Sequence, residues 1–368
     1  MRILTVTHFY ESHGGGIERV AGQLCRNLAA LGHDCGWAAS SSDPAPIHDM
    51  VRPVPLACIN PTERQTGLPM PVPGVRALRN LAREISQADA VIVHDALYCT
   101  SIAAMVMGRL KRKPVILIQH IAEIQFASKV MRKVMRLANA MVTRPMLRGA
   151  HQAVFISETV RSKFAAVKMR RPARLLFNGV DTSIFHCGQA DRSRFGLPPD
   201  GKVAVFAGRF VEKKGLAVLR ACAARKPETT FVLAGSGPIN PAKWNLANVV
   251  LPGALSQHDV ASLFCTADVL LLPSVGEGYP LVIQEAMACG LPIVCGTESA
   301  KADPAAQRWM RGVHIELADA EGTAERVCDL LEQPLLSSQE RRKMSGYASA
   351  EYSWRKIAKR IAELVPSV

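Results

Sequence analysis

Two glutamates stand eight residues apart in SVGEGYPLVIQEAMACGLPIV (274–294), Glu277 in a loop after an apolar run and Glu285 in the segment that follows. Pro280 suits the opening of a helix there and Gly290 its close. One carboxylate before a helix N-terminus and a second about two turns in can accept hydrogen bonds from hydroxyls at two places along an extended ligand. Amides near 279–282 would face its charged middle. Earlier, GRFVEKKG (208–215) sets Arg209 and Lys214 after another apolar run. That cation pair suits a diphosphate, Arg by its forked donors and Lys as a point charge. LAGSGP (233–238) adds a small glycine loop with Gly235 and Gly237. In HGGGIERV (13–20), Gly15 and Gly16 precede a helix, where backbone can approach a ligand and free N–H groups attract an anion. Taken alone, this loop reads equally as a flexible turn. Its spacing is not Gly-x-Gly-x-x-Gly and no Gly-x-x-x-x-Gly-Lys-Ser/Thr occurs, which disfavours a nicotinamide-cofactor site and a P-loop.

These loops need strands to hold them. The runs 3–9, 90–96, 114–120 and 153–157 in the first half, and 202–208, 229–235, 267–274 and 291–296 in the second, are rich in Val, Ile and Leu without polar alternation. Strands of that kind are buried on both faces, as in parallel sheets covered by helices. With 368 residues, the expectation is α/β, two doubly wound Rossmann-like domains whose strand carboxyl ends line one cleft. The boundaries expected are 1–185 and 186–351, with the join in 180–202. A terminal helix at 352–368 would dock back on the first domain through Trp354, Ile357, Ala358, Ile361 and Leu364.

GEGYPLVIQEAMACGLPIV resembles the Glu-x7-Glu signature of retaining glycosyltransferases of the GT-B fold, family 4. The resemblance extends over nearly the whole chain through HGGGIERV, FNGVD (177–181), GRFVEKKG, LAGSGP and YSWRKIAKRI. It implies a nucleotide-diphosphate sugar as co-substrate, held mainly by the second domain, with no metal and no resident cofactor. Arg209 and Lys214 would bind the diphosphate and offset leaving-group charge; Glu285 would hold the ribose and Glu277 the transferred sugar. Backbone from Gly278 through Tyr279 and Pro280 to Leu281, with Gly235 and Gly237, would complete the cradle, and Gly15 and Gly16 would close on the diphosphate. His120 matches a histidine that reaches the sugar near the reacting centre; His94 in VHDA is its rival. No nucleophile emerges, so retention would proceed by departure and attack on one face of the sugar.

Charge bears on the acceptor. Residues 1–180 hold 24 Lys and Arg against 11 Asp and Glu, the remainder 21 against 20. The basic half therefore points to an acidic partner. In KVMRKVMRLANAMVTRPMLR (129–148), Lys129, Arg132, Lys133 and Arg136 form a basic helical edge, and Val130, Met131, Val134, Met135, Leu137, Met141 and Val142 are expected to cover the opposite face. The stretch reads either as a packed helix with a solvated edge or as an interfacial helix on anionic lipid. A glycan or lipid-linked acceptor at the inner face of the cell membrane follows, in a cytoplasmic, peripheral protein of cell-surface polysaccharide or glycolipid synthesis. Nucleic acid is disfavoured, because aromatics are 5% of residues and do not interleave with the basic stretch. The ten scattered cysteines suit reduced thiols, and no apolar run reaches the roughly 18 residues of a membrane span. A nucleotide-sugar epimerase on the same fold and a non-catalytic basic nucleotide- or nucleic-acid-binding protein are the alternatives.

Overall fold

A computed structural model describes residues 1–61, 70–122 and 129–366, the side chains of 129–132 excepted. The chain divides into two compact units, Met1–Gly179 with Trp354–Val368, and Val180–Ser353.

In the first unit the apolar run ILTV forms β1 (Arg2–Val6), buried after its first residue. It lies between β2 (Asp34–Ser40), followed outward by β3 (Val51–Leu56), and, on its other side, β6 (Ala90–His94), β7 (Val115–Gln119), β8 (Gln152–Phe155) and β9 (Arg174–Leu175). β4 (Cys58–Ile59) and β5 (Val72–Pro73) make a separate antiparallel pair. Every ladder of the seven-stranded sheet is parallel. One face buries Leu4, Val91, Val93, Leu117 and Phe155 against Leu81, Ile85 and Leu147. Another apolar cluster gathers Tyr10, Ala21, Cys25 and Trp37. Sequence patterning missed β2 and β3: DCGWAAS has no β-branched residue, and VRPVPL carries two prolines, tolerated because β3 is an edge strand.

The second unit repeats the scheme with β10 (Lys202–Ala207), β11 (Thr229–Ala234), β12 (Val249–Gly253), β13 (Val269–Leu272), β14 (Ile293–Gly296) and β15 (Met310–Val313). The order is β12-β11-β10-β13-β14-β15, again all parallel. The two strands missed by patterning, β12 and β15, are the half-exposed edges. In both sheets strand order reverses beside the first strand, between β1 and β6 and between β10 and β13. Ligands of open α/β sheets bind outside the strand carboxyl ends at such a reversal. The loops after β1, β6, β10 and β13 carry HGGGIERV, VHDA, GRFVEKKG and SVGEGYP.

Two quoted motifs meet where the chain passes between units. In the first unit a Cβ on Gly179 of FNGVD would lie 2.1 Å from the ring of Trp354 in YSW. In the second, Val180 N–H donates to the Tyr352 carbonyl at 2.6 Å, and Val180 bridges Ser353 in parallel. The helix Trp354–Ala362 buries Trp354, Ile357, Ala358 and Ile361 and packs on the helix Gly16–Ala30, while Leu364 lies beyond its end, half-buried. Gly179→Ala should therefore lower stability by about 1–3 kcal/mol through overpacking against the indole; chemical denaturation measures it as a fall in midpoint at unchanged slope.

Candidate active site

In the second unit Lys214 Nζ is 2.8 Å from Glu277 Oε2, and Lys213 Nζ is 3.6 Å from Oε1 of the same carboxylate. Lys214 and Glu277 are largely covered, with 16% and 13% of their side-chain surfaces exposed, whereas Lys213 stands out at 60%. Sequence reasoning did not single out Lys213; its adjacency to Lys214 in a cationic loop was the available signal. Arg209 is exposed and has no ion pair among the described residues. The loop is pinned by Val275 N–H donating to the Lys213 carbonyl at 2.9 Å and by Gly215, at φ +74°, where a Cβ would meet the Pro273 carbonyl at 2.2 Å.

Pro280 is the N-cap of the helix Leu281–Ala288, and Gly290 follows its end at φ +72°. Glu285 falls in the second turn and is buried, as are Gly278 and Tyr279. Glu277 and Glu285 thus stand on either side of the helix start, as their spacing required. Gly235 and Gly237 have a packing explanation of their own. A Cβ on Gly235 would lie 1.9 Å from the Gly208 carbonyl, and one on Gly237 would lie 2.5 Å from that of Phe210. Phe210 N–H donates to the Ser236 carbonyl at 2.8 Å, so the loops after β10 and β11 interlock through backbone that side chains would force apart.

In the first unit the three glycines differ. Gly14 sits at φ +83° and ends a short 3-10 turn; a Cβ on Gly15 would lie 2.0 Å from the Glu18 carboxylate; Gly16 faces open space. Glu18 is folded back over its own helix N-terminus because Oε1 meets His8 Nε2 at 2.7 Å, both residues being buried. Burial pushes the Glu18 carboxyl up, but the hydrogen bond and charge of His8 outweigh it and hold it below the ordinary carboxylate range. The His8 ring stacks on Tyr98, centroids 3.6 Å apart.

The rivals His94 and His120 are partners: Nδ1 of His94 and Nε2 of His120 are 2.9 Å apart. Burial depresses both, His94 well below its usual value and His120 to about 3, so the pair is neutral near pH 7 and shares one proton between the facing nitrogens. Asp95, next to His94, takes a left-handed φ of 56°. Its Oδ1 accepts from Gln119 Nε2 at 2.5 Å and His120 N–H at 3.1 Å, yet burial raises the carboxyl to about 7. His8 Nδ1, His94 Nε2, Asp95 Oδ2 and Thr100 Oγ1 are buried without hydrogen-bond partners among the described residues. Unpaired buried polar atoms are costly, and their grouping at a strand-order reversal makes this a candidate ligand site. Sequence reasoning missed His8, Glu18 and Asp95, since nothing in their spacing announces that they meet.

The basic stretch corrects one expectation. It runs as a helix Lys129–Ala138, a π turn Asn139–Thr143 and a helix Arg144–Gly149. Met135, Asn139, Thr143, Met146 and Leu147 face inward, whereas Val134, Leu137 and Met141 are exposed at 48%, 60% and 68%, on the same side as exposed Lys133 and Arg136. Among the described side chains, the apolar ones therefore do not form a single face opposite the basic edge. The side chains of Lys129, Val130, Met131 and Arg132 lie outside the described part. Among the described residues, no helix is long and apolar enough to cross a membrane, and no three His, Cys, Asp or Glu side chains group as a metal site.

Family models match both units: residues 14–184 fit Glycosyltransferase Family 4 and residues 201–333 fit Glycosyl transferases group 1. The chain belongs to glycosyltransferase family 4. A relative, the D-inositol 3-phosphate glycosyltransferase of Mycobacterium bovis, is 34% identical over 139 residues, 33% of this chain and 29% of that protein. The chain thus matches less than a third of the length of such curated relatives. Among solved structures, sucrose-phosphate synthase from Thermosynechococcus elongatus superposes with a TM-score of 0.74 at 19% identity, covering 99% of this chain and 98% of that one. Anabaena Alr3699/HepE in complex with UDP and glucose gives 0.67 at 17%, covering 100% of each chain. The family 4 chain therefore has the α/β GT-B fold, with two parallel-sheet domains.

Asp95 supplies a pH test of the buried cluster. Its raised carboxyl keeps a proton in the folded chain that the unfolded chain releases near pH 4, so its contribution makes stability fall as pH rises from about 4 to 7, by roughly 4 kcal/mol at most. Asp95→Asn should flatten that segment of the profile, measured by urea denaturation at successive pH values.

Proposed function

We propose that the protein transfers a sugar, with retention of anomeric configuration and without a metal, from a nucleotide-diphosphate sugar to a saccharide or lipid-linked acceptor. The observation that carries this reading is the Lys214–Glu277 pair, set in two strand-end loops at the reversal of the second sheet, beside a helix that buries Glu285. An entering diphosphate brings the negative charge that Arg209, Lys213 and Lys214 together outnumber. Lys214 turns from Glu277 to phosphate, and the Glu277 oxygens are released to sugar hydroxyls. Glu285 accepts from the ribose, and the amides at the start of its helix stabilise charge on the departing diphosphate. Tyr279 is too buried to touch the sugar with its ring, so Gly278 and the Pro280–Leu281 backbone line the cradle.

In the first unit, neutral His120, oriented by His94, is suited to hydrogen-bond a sugar hydroxyl, and Gly16 leaves a helix start uncovered for phosphate. The HepE complex with UDP and glucose makes UDP-glucose the first donor to try. Lys214→Ala and Glu285→Ala should each lower acceptor-dependent release of nucleoside diphosphate about 10²-fold or more; undiminished turnover in both would remove the site assignment. Release requiring an added acceptor also separates transfer from epimerisation and from binding without turnover.

The acceptor is proposed to lie at the cytoplasmic face of an anionic membrane. Exposed Val134, Leu137 and Met141 beside Lys133 and Arg136 support this. The helix Cys99–Leu110, packed against Arg144–Gly149, adds exposed Val106 and Leu110. Between Cys99 and Gly149 the chain has ten Lys and Arg and one acid, Glu123. Apolar side chains amid cations suit the headgroup boundary. The protein should float with anionic vesicles and not with neutral ones, and neutralising Lys129, Arg132, Lys133 and Arg136 together should abolish flotation; equal behaviour with both vesicles would sink the membrane reading.

A further inference from the structure

In the second unit four donors converge on one buried carboxylate. Asp303 Oδ2 accepts the phenol protons of Tyr352 at 2.5 Å and Tyr347 at 2.7 Å, while Oδ1 accepts the amides of Ala305 at 2.9 Å and Ala306 at 3.3 Å. Because Tyr352 gives its proton to Asp303, its oxygen is left to accept. The hydroxyl of Tyr279 lies 3.1 Å from that oxygen and donates into it, and Met287 Sδ, 3.6 Å away, is a second and weaker acceptor. A directed chain results, Tyr279 to Tyr352 to Asp303, whose members are 2%, 0% and 1% exposed.

Each end of the chain is fixed to something different. Tyr279 lies between Glu277 and the helix N-cap Pro280, so its ring anchors the loop that presents Glu277 and Gly278. Tyr352 closes the helix Ser338–Glu351, and its carbonyl holds Val180, where the second unit begins. Asp303 is held in turn by the turn it caps. A buried phenol that leaves this arrangement gives up a hydrogen bond to a phenol or carboxylate oxygen where little water can replace it. The loop after β13, which contains Gly276 at φ +69°, therefore has one strongly preferred position.

We infer that Tyr352, backed by Asp303, is a positioning residue for the donor loop: through the hydroxyl of Tyr279 it sets where Glu277 and the Gly278 backbone stand to receive the sugar and diphosphate. This rests on the reading of that loop as the donor site.

Tyr347 supplies the control: it donates to the same Asp303 oxygen and its ring packs edge-on against that of Tyr352, centroids 5.7 Å apart, while the hydroxyl that meets Tyr279 belongs to Tyr352. In the full-length protein, Tyr352→Phe should raise KM for the nucleotide sugar about tenfold while kcat stays within about twofold. Tyr347→Phe should cost similar thermal stability and leave KM within about twofold of the parent. Tyr279→Phe should reproduce the KM effect, and the double variant Tyr279→Phe/Tyr352→Phe should add little to either single one, because one chain is cut twice. If Tyr352→Phe does not fold, Tyr279→Phe against Tyr347→Phe makes the same comparison. Equal KM changes in the Tyr352 and Tyr347 variants, or an unchanged KM in Tyr352→Phe or Tyr279→Phe, would overturn the inference. Failure of the donor-site reading looks different: Lys214→Ala would then leave nucleotide-sugar turnover intact.

Discussion

A parallel sheet sends the carboxyl end of every strand to the same edge, and both units of this protein are built on that constraint. At each reversal of strand order two loops leave in opposite directions and open a space that neither sheet face fills. Several side chains bordering that space are buried enough to need partners. In the first unit the shortage is visible on His8, His94, Asp95 and Thr100, each with a buried polar atom that has no hydrogen-bond partner among the described residues. In the second it is met by charge, through Lys214, Lys213 and Glu277.

The two solutions suit different work. Neutral, buried imidazoles at His94 and His120 and a carboxyl raised to about 7 at Asp95 leave the first-unit cluster rich in uncharged hydrogen-bonding groups, with its buried carboxylate, Glu18, paired to His8. The second-unit loops carry cations on an interlocked backbone. Interlocked turns at Gly208, Phe210, Gly235 and Gly237 leave little freedom to the main chain, while Arg209 and Lys213 extend into solvent.

Much of the second unit's candidate site was legible in the sequence because it is local. Glu277, Pro280, Glu285 and Gly290 lie within one loop and one helix, so helical geometry alone places them. Lys214 and Glu277, 63 residues apart, were each readable as strand-end residues, but their ion pair was not. The glycines show the reverse. Gly15, Gly235 and Gly237 read as room for a ligand, yet each is crowded by protein: by the Glu18 carboxylate, the Gly208 carbonyl and the Phe210 carbonyl. A glycine in a sequence states that something approaches closely, without saying what. Edge strands escaped for a related reason: β2, β3, β12 and β15 owe their existence to pairing with a neighbour already in place, and their own residues carry weak strand signals.

What the sequence by itself determined was the class of chain: alternating buried strands and helices, two repeats of the scheme, and the motifs that mark family 4. Those properties follow from residue type and short-range spacing. Tertiary structure decided the partnerships. His94 and His120 ceased to be alternatives once β6 and β7 lay side by side; Glu18 turned back to His8; the apolar residues of 129–148 divided between core and surface. Tyr352 and Asp303, 49 residues apart, joined Tyr279, which lies 73 residues before Tyr352. Contacts across such separations depend on where a sheet and its turns carry each side chain, and that position is a property of the packed whole.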